Sequence, residues 1–117
     1  MENNILEMIK QSVWNVPSAE DEPSLTMENW SVWQCVDDAG VNTLHLTGWC
    51  VERYEGRAST AIVSVDKDKR CVFTESGRKY QLQGENGHDN DGDWVFSVFC
   101  NRNGLKTVKD VSHELFN

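Results

Sequence analysis

Three carboxylates stand at alternate positions around a glycine in Asp89-Asn90-Asp91-Gly92-Asp93, and this is the sharpest chemical pattern in the chain. Oxygen donors at that spacing suit a hard cation. A calcium loop, however, needs six to eight oxygens, a glycine at its sixth position and a bidentate glutamate at its twelfth. Counted from Asp89, those two places hold Trp94 and Cys100. Asp89, Asp91 and Asp93 are therefore an incomplete calcium set, and a solvated turn between strands is the stronger reading.

Nucleophilic chemistry finds even less support. It requires a Cys or Ser, a base and an orienting acid within hydrogen-bond reach. The histidines are His45, His88 and His113, and the cysteines are Cys35, Cys50, Cys71 and Cys100. His45 and Cys50 share a strand-like run but lie an odd step apart, which sends them to opposite faces. Cys100 and His88 could meet only across a loop. The chain has no Gly-x-Ser-x-Gly elbow, no phosphate-cradling glycine loop and no His-Glu-x-x-His pair. It also lacks the close cysteine pairs that announce zinc. The expectation is a protein without catalytic residues, metal or cofactor.

The elements that would position any site follow from periodicity. Residues 3–16 carry Ile5 or Leu6, Ile9, Val13 and Val16 at helical steps, with Asn3 or Asn4 as cap and Pro17 as stop. Residues 17–29, acidic and proline-bounded, read as a linker. From Trp30 the pattern becomes strands: 30–38, 43–53, 58–65, 70–75, 78–83 and 94–100. The turns between them include Ala39-Gly40, Glu55-Gly56 and the Ser76-Gly77 hairpin. Residues 106–116 read as a short C-terminal helix, with Ser112 as a candidate cap. The expected fold is α+β and mainly β: one domain whose six-strand antiparallel meander, a bent sheet or half-open barrel, spans 30–101.

One stretch has a family look. Ser59-Thr-Ala-Ile-Val-Ser-Val-Asp66, followed by Phe73-Thr-Glu-Ser-Gly-Arg-Lys-Tyr-Gln-Leu-Gln-Gly84, resembles small uncharacterised bacterial and prophage-borne β-meander proteins. In these, a strand ending in aspartate precedes a Thr-x-Ser-Gly-x-x-Tyr-x-Leu hairpin. The resemblance covers about a quarter of the chain. It implies a mobile-element origin and assigns no catalytic residue.

Charge says more about function. Residues 1–58 hold ten acids against three bases, and residues 59–117 nine against eight, so the net −8 is lopsided. Such a surface favours fast docking on a basic partner and repels bare nucleic acid and anionic lipid. A basic set on two turns, Lys67, Lys69, Arg70, Arg78 and Lys79 with Phe73 and Tyr80 nearby, is the counter-signal for single-stranded nucleic acid. Lysines on hairpin tips more commonly discourage edge pairing. No apolar run reaches the roughly 20 residues of a membrane span, and Met1-Glu2-Asn3-Asn4 lacks the basic start of a signal peptide. The expectation is cytoplasmic, with reduced thiols.

The functional expectation is a non-enzymatic inhibitor that binds another protein's basic, nucleic-acid-handling surface. Phage anti-defence proteins and nuclease-immunity proteins share that physics. Acidic contacts are expected from Glu20, Asp21, Glu22, Glu28, Asp37 and Asp38, with Trp30 or Trp33 as aromatic anchor. The rival readings are a calcium- or ligand-binding β-domain built on Asp89–Asp93, and a structural or assembly subunit.

Overall fold

The computed structural model describes residues 24–116. The expected helix at 3–16 and the acids Glu20, Asp21 and Glu22 lie outside the described residues. Strand structure begins at Ser24, six residues before the predicted start of the first strand at Trp30. The elements are β1 (Ser24–Val36), β2 (Asn42–Cys50), β3 (Glu55–Ala58), β4 (Ile62–Asp66), β5 (Cys71–Thr74), β6 (Lys79–Leu82), α1 (Asn90–Arg102), β7 (Lys106–Asp110) and α2 (Ser112–Phe116).

The long strand β1 organises everything else. Leu25 and Met27 point inward by ordinary alternation, and then the phase changes. The register with β2 shifts between Glu28 and Ser31, where Asn29 adopts a left-handed φ of 48°. This bulge turns Trp30 and Val32 inward and sends Trp33 and Cys35 to the opposite face. β1 thus serves both layers of the molecule.

The sheet order is β3-β2-β1-β6-β5-β4, with β7 also paired to β1. The expected purely antiparallel meander is corrected here, because β1 and β6 run parallel. Parity explains it. β3 and β4 point the same way and are separated only by Ser59–Ala61, so they act as one run that changes partner. Ser59 keeps hold of β2, donating its N–H to the Leu46 carbonyl and accepting the Leu46 N–H on Oγ. The six strands therefore make five runs, and an odd number leaves the first and last parallel. The sheet curls but stays open.

Its concave side holds the main core, with Trp30, Met27, Leu46, Val72 and Leu82 among its members. The C-terminal segment plugs one end. Here residues 106–116 are not one helix. Lys106–Asp110 pair with Trp33–Val36 as β7, and only Ser112–Phe116 are helical. Val111 and Leu115 are buried in the core, and Phe116 meets Trp30 edge-on at 5.3 Å. Ser112 does not cap by itself. Its N–H and Oγ both donate to the Asp110 carboxylate, while its Oγ accepts the Val32 N–H.

Trp94–Cys100, expected as the last strand of the meander, is helix instead. α1 lies across the convex side of β2 and β3 and buries Gly92, Phe96 and Cys100. Its aromatic, β-branched sequence favours strand, but its ends decide otherwise. Asp89 caps the start, accepting the Gly92 N–H at 2.8 Å. Asn103 and the left-handed Gly104 close the other end. Seating depends on two glycines. A Cβ at Gly92 would lie 2.6 Å from the Gly48 carbonyl oxygen, and one at Gly56 would lie 2.6 Å from that of Asp91. Helix and sheet meet backbone to backbone.

Candidate functional site

The first turn of α1 brings together what the sequence keeps apart. Asp91 and Gly92 rest on Gly56 and Gly48. Trp49 follows Gly48 in the chain and is the cross-strand partner of Gly56. Tyr54 packs edge-on against Trp49 at 5.1 Å and is 83% exposed. Trp94, two residues beyond the Gly92 contact, is 68% exposed because its ring leaves the helix on the side away from Gly92 and Phe96. Val51 is exposed in the same turn as Tyr54.

Carboxylates surround these rings. Asp91 and Asp93 lie in the first turn of α1, where the helix dipole favours negative charge. Glu55 pairs with Arg57 at 2.8 Å. Glu52 accepts from both the N–H and the hydroxyl of Thr26, each at 2.7 Å, which ties the turn after β2 to β1. The Thr26 N–H bond holds its carboxyl below the usual carboxylate range. Tyr54 and Trp94 are thus large exposed rings, and the stretches that carry them also carry Glu55, Asp91 and Asp93.

The expected anchors fare unequally. Trp30 is core, 1% exposed, with its indole N–H donated to the Gly84 carbonyl, so it cannot anchor a partner. The Arg70 guanidinium lies over its ring at 5.6 Å and also donates to Gly84 O. That base therefore serves the core, and Tyr80 is buried, which removes two members of the basic, aromatic hairpin surface. Trp33 is half-buried, tilts against Phe96 at 6.4 Å and donates its N–H to Ser31 Oγ. Asp37 accepts from the N–H groups of Ala39 and Val41, which fixes the β1–β2 turn. Asp38 is exposed beside Gly104, and Glu28 is half-buried opposite Trp49. Asp89 is spent on the cap. Among the described residues, no three His, Cys, Asp or Glu side chains converge as a metal set.

A groove of about 500 Å³ runs along the other flank of α1. Trp33, Phe96, Cys100 and Leu105 line it with apolar surface, and His88, Asp93, Asn101, Lys106 and Thr107 supply its polar groups. His88 Nδ1 lies 3.6 Å from Asp93 Oδ2. His88 and Cys100 do reach one surface, but Cys100 is buried in one cluster with Cys35. Burial pushes the Cys35 thiol up to about 12 and raises that of Cys100, so both stay protonated and weakly nucleophilic at neutral pH. All four cysteines are buried and free.

Beneath α1 lies His45, 3% exposed and packed against Phe99 at 5.3 Å and Phe96 at 6.5 Å. Nδ1 donates to the Ser59 carbonyl, which can only accept, so Nε2 accepts from Thr43 Oγ1. Burial holds its pKa below the ordinary value.

No protein-family model, no curated protein and no solved structure matches this chain. No helix among the described residues is long and apolar enough to cross a membrane.

The sequence carried a weak signal for this face. Val51-Glu52-Arg53 reads as the tail of a strand with Tyr54 just beyond it, yet the stretch puts an acid and a base between an aliphatic and an aromatic residue. What the sequence does not signal is the helix whose first turn rests on Gly48 and Gly56.

Proposed function

We propose that the protein is a non-enzymatic binding module whose acidic, aromatic face around the start of α1 docks on a basic surface of another protein. The observation that carries this reading is the exposure of Trp94 and Tyr54, in stretches that also carry Asp91, Asp93 and Glu55. Large exposed rings are costly for a free monomer and are the residue types that dominate binding energy once covered. Carboxylates at the rim steer encounter with a positive surface. The first 23 residues of the sequence carry five acids against one base, and Thr26 of β1 is bonded to the turn that holds Tyr54. A positive protein surface is commonly one that handles nucleic acid, and an acidic module on it competes with phosphate. The role is thus inhibitory, of the anti-defence or nuclease-immunity kind.

The test uses the full chain as bait in lysates of cells carrying nucleases or nucleic-acid-guided defence systems, beside a Trp94→Ala/Tyr54→Ala double variant. The captured partner is then measured by surface kinetics. The double variant should dissociate at least about 30-fold faster, the effect of losing one hot spot. Raising the salt should slow association of the wild type more than it changes dissociation. Equal binding by both baits, or salt-independent association, would overturn the reading.

A further inference from the structure

We infer that the groove along α1 binds an extended segment of about four residues: a basic side chain at one end, apolar or aromatic residues in the middle and a carboxylate at the other. The inference stands on the groove's own geometry and goes beyond the ring face described above.

One wall is a single helical stripe. Asp93, Phe96, Ser97, Cys100 and Asn101 recur at steps of three, one, three and one, so they share one side of α1. From Asp93 to Asn101 that wall is about 12 Å long at the helical rise. The facing wall is Leu105–Thr107, brought alongside by the hydrogen bond from Leu105 N–H to the Cys100 carbonyl at 2.9 Å. An extended chain advances about 3.3 Å per residue, so 12 Å takes roughly four residues. The volume of about 500 Å³ lies in the range of sites that bury a ligand of that size.

The chemistry differs along the length. At the start of α1 stands Asp93, whose partner His88 is held only at 3.6 Å. A guanidinium or ammonium could approach that carboxylate more closely, with a charge-assisted bond. At the far end stands Lys106, exposed and in no ion pair among the described residues. It is the natural seat for a carboxylate. Between them the floor is apolar, since the Trp33 N–H is already given to Ser31 Oγ and the ring offers only carbon. Charge complementarity therefore sets both the content of the segment and its direction.

The experiment titrates the isotope-labelled full chain with a blocked peptide, acetyl-Arg-Phe-Val-Glu-amide, and with its uncharged counterpart, acetyl-Gln-Phe-Val-Gln-amide. Amide and indole shifts are followed by NMR. The charged peptide should bind with a dissociation constant below about 1 mM and shift the Trp33 indole and the α1 stripe. The uncharged one should bind about tenfold more weakly. D93N and K106Q, both at exposed positions, should each weaken the charged peptide several-fold and leave the uncharged one unchanged. Their amide spectra report that the fold is retained. Absence of shifts in the groove at several millimolar peptide would overturn the inference. So would equal binding of the two peptides.

Discussion

The concave and convex sides of this sheet are built by opposite rules. Inside the curl, packing is large, apolar and interlocked: Trp30 is covered by Phe116, Arg70 and the plug of Val111 and Leu115. Outside, under α1, a smaller cluster of Phe96, Phe99, Trp33 and Leu105 is combined with glycines and polar groups. Gly48, Gly56 and Gly92 let backbone touch backbone, Thr47 donates to the Gly92 carbonyl, and His45, Cys35 and Cys100 lie among the rings. The inner layer supplies cohesion through buried area. The outer layer supplies position, because a helix seated on glycines has little freedom to slide. Both candidate binding surfaces, the ring face and the groove, are flanks of that outer helix.

The contrast is sharpest in two substitutions. Trp30→Ala should cost about 3–5 kcal/mol of unfolding free energy, as expected for an emptied aromatic site in a core. Gly92→Ala removes no contact at all, yet should cost about 1–3 kcal/mol by forcing the helix off the Gly48 carbonyl. The two should also differ in kind. Trp30→Ala lowers the urea midpoint of the whole molecule. Gly92→Ala should in addition perturb the NMR signals of His45 and Phe99 while leaving those of Leu25 and Leu82 nearly unmoved. If Gly92→Ala is neutral, the outer helix is not held by backbone contact.

These two layers were not equally legible in the sequence. The inner layer follows from alternation: Leu44, Leu46 and Cys50 against His45, Thr47 and Trp49 gave β2 its two faces, and Ser76-Gly77 gave the β5–β6 hairpin. Alternation fails at Asn29, because a bulge resets the phase without altering composition, and so Trp30 and Trp33 could not be told apart. The outer layer was misread because Trp94–Cys100 has strand-like composition. Its helical signals were at its borders, in the Asp89 cap and the Asn103-Gly104 stop, and the Asp-rich cap resembled a cation loop. β7 left no trace, since all five of its residues are exposed and carry no apolar period. Gly56 looks like a turn residue in sequence and is a helix seat in space.

The outer layer should also be the acid-labile one. His45 has a folded-state pKa below its ordinary 6.5, chiefly through burial, with the Ser59 carbonyl and distant Glu75 opposing. Between those two values the unfolded chain binds more protons than the folded one. Stability is therefore complete above about pH 6.5 and falls as pH drops below it, by at most about 1.4 kcal/mol per pH unit for one proton. Glu52, also depressed, acts in a separate window, since its contribution is lost only as pH falls below its ordinary 4.5. Urea unfolding at pH 7.5 and pH 5.5 measures the first effect alone. His45→Gln should flatten that difference. An unchanged slope in His45→Gln would move the acid sensitivity elsewhere.

The smallest effect separates a cap from a cation site. Asp89 accepts the Gly92 N–H, and its own carbonyl accepts the Asp93 N–H, so its carboxylate satisfies one of the donors that the helix start leaves open. Asp89→Ala should then cost about 1 kcal/mol, Asp89→Asn less, and Asp91→Ala less still, since Asp91 contributes only through the helix dipole. This ranking should be the same in EDTA and in millimolar calcium. A bound ion at 100 times its dissociation constant would instead add about 2.7 kcal/mol to the wild type, and loss of any one carboxylate ligand would erase that gain. Thermal melts of the wild type and the three variants in both buffers distinguish the two outcomes. A cap predicts graded losses without calcium dependence. A calcium-dependent gain abolished by Asp91→Ala would mean that the first turn of α1 holds a cation, and the acidic rim of the ring face would then be a metal site before it is a docking surface.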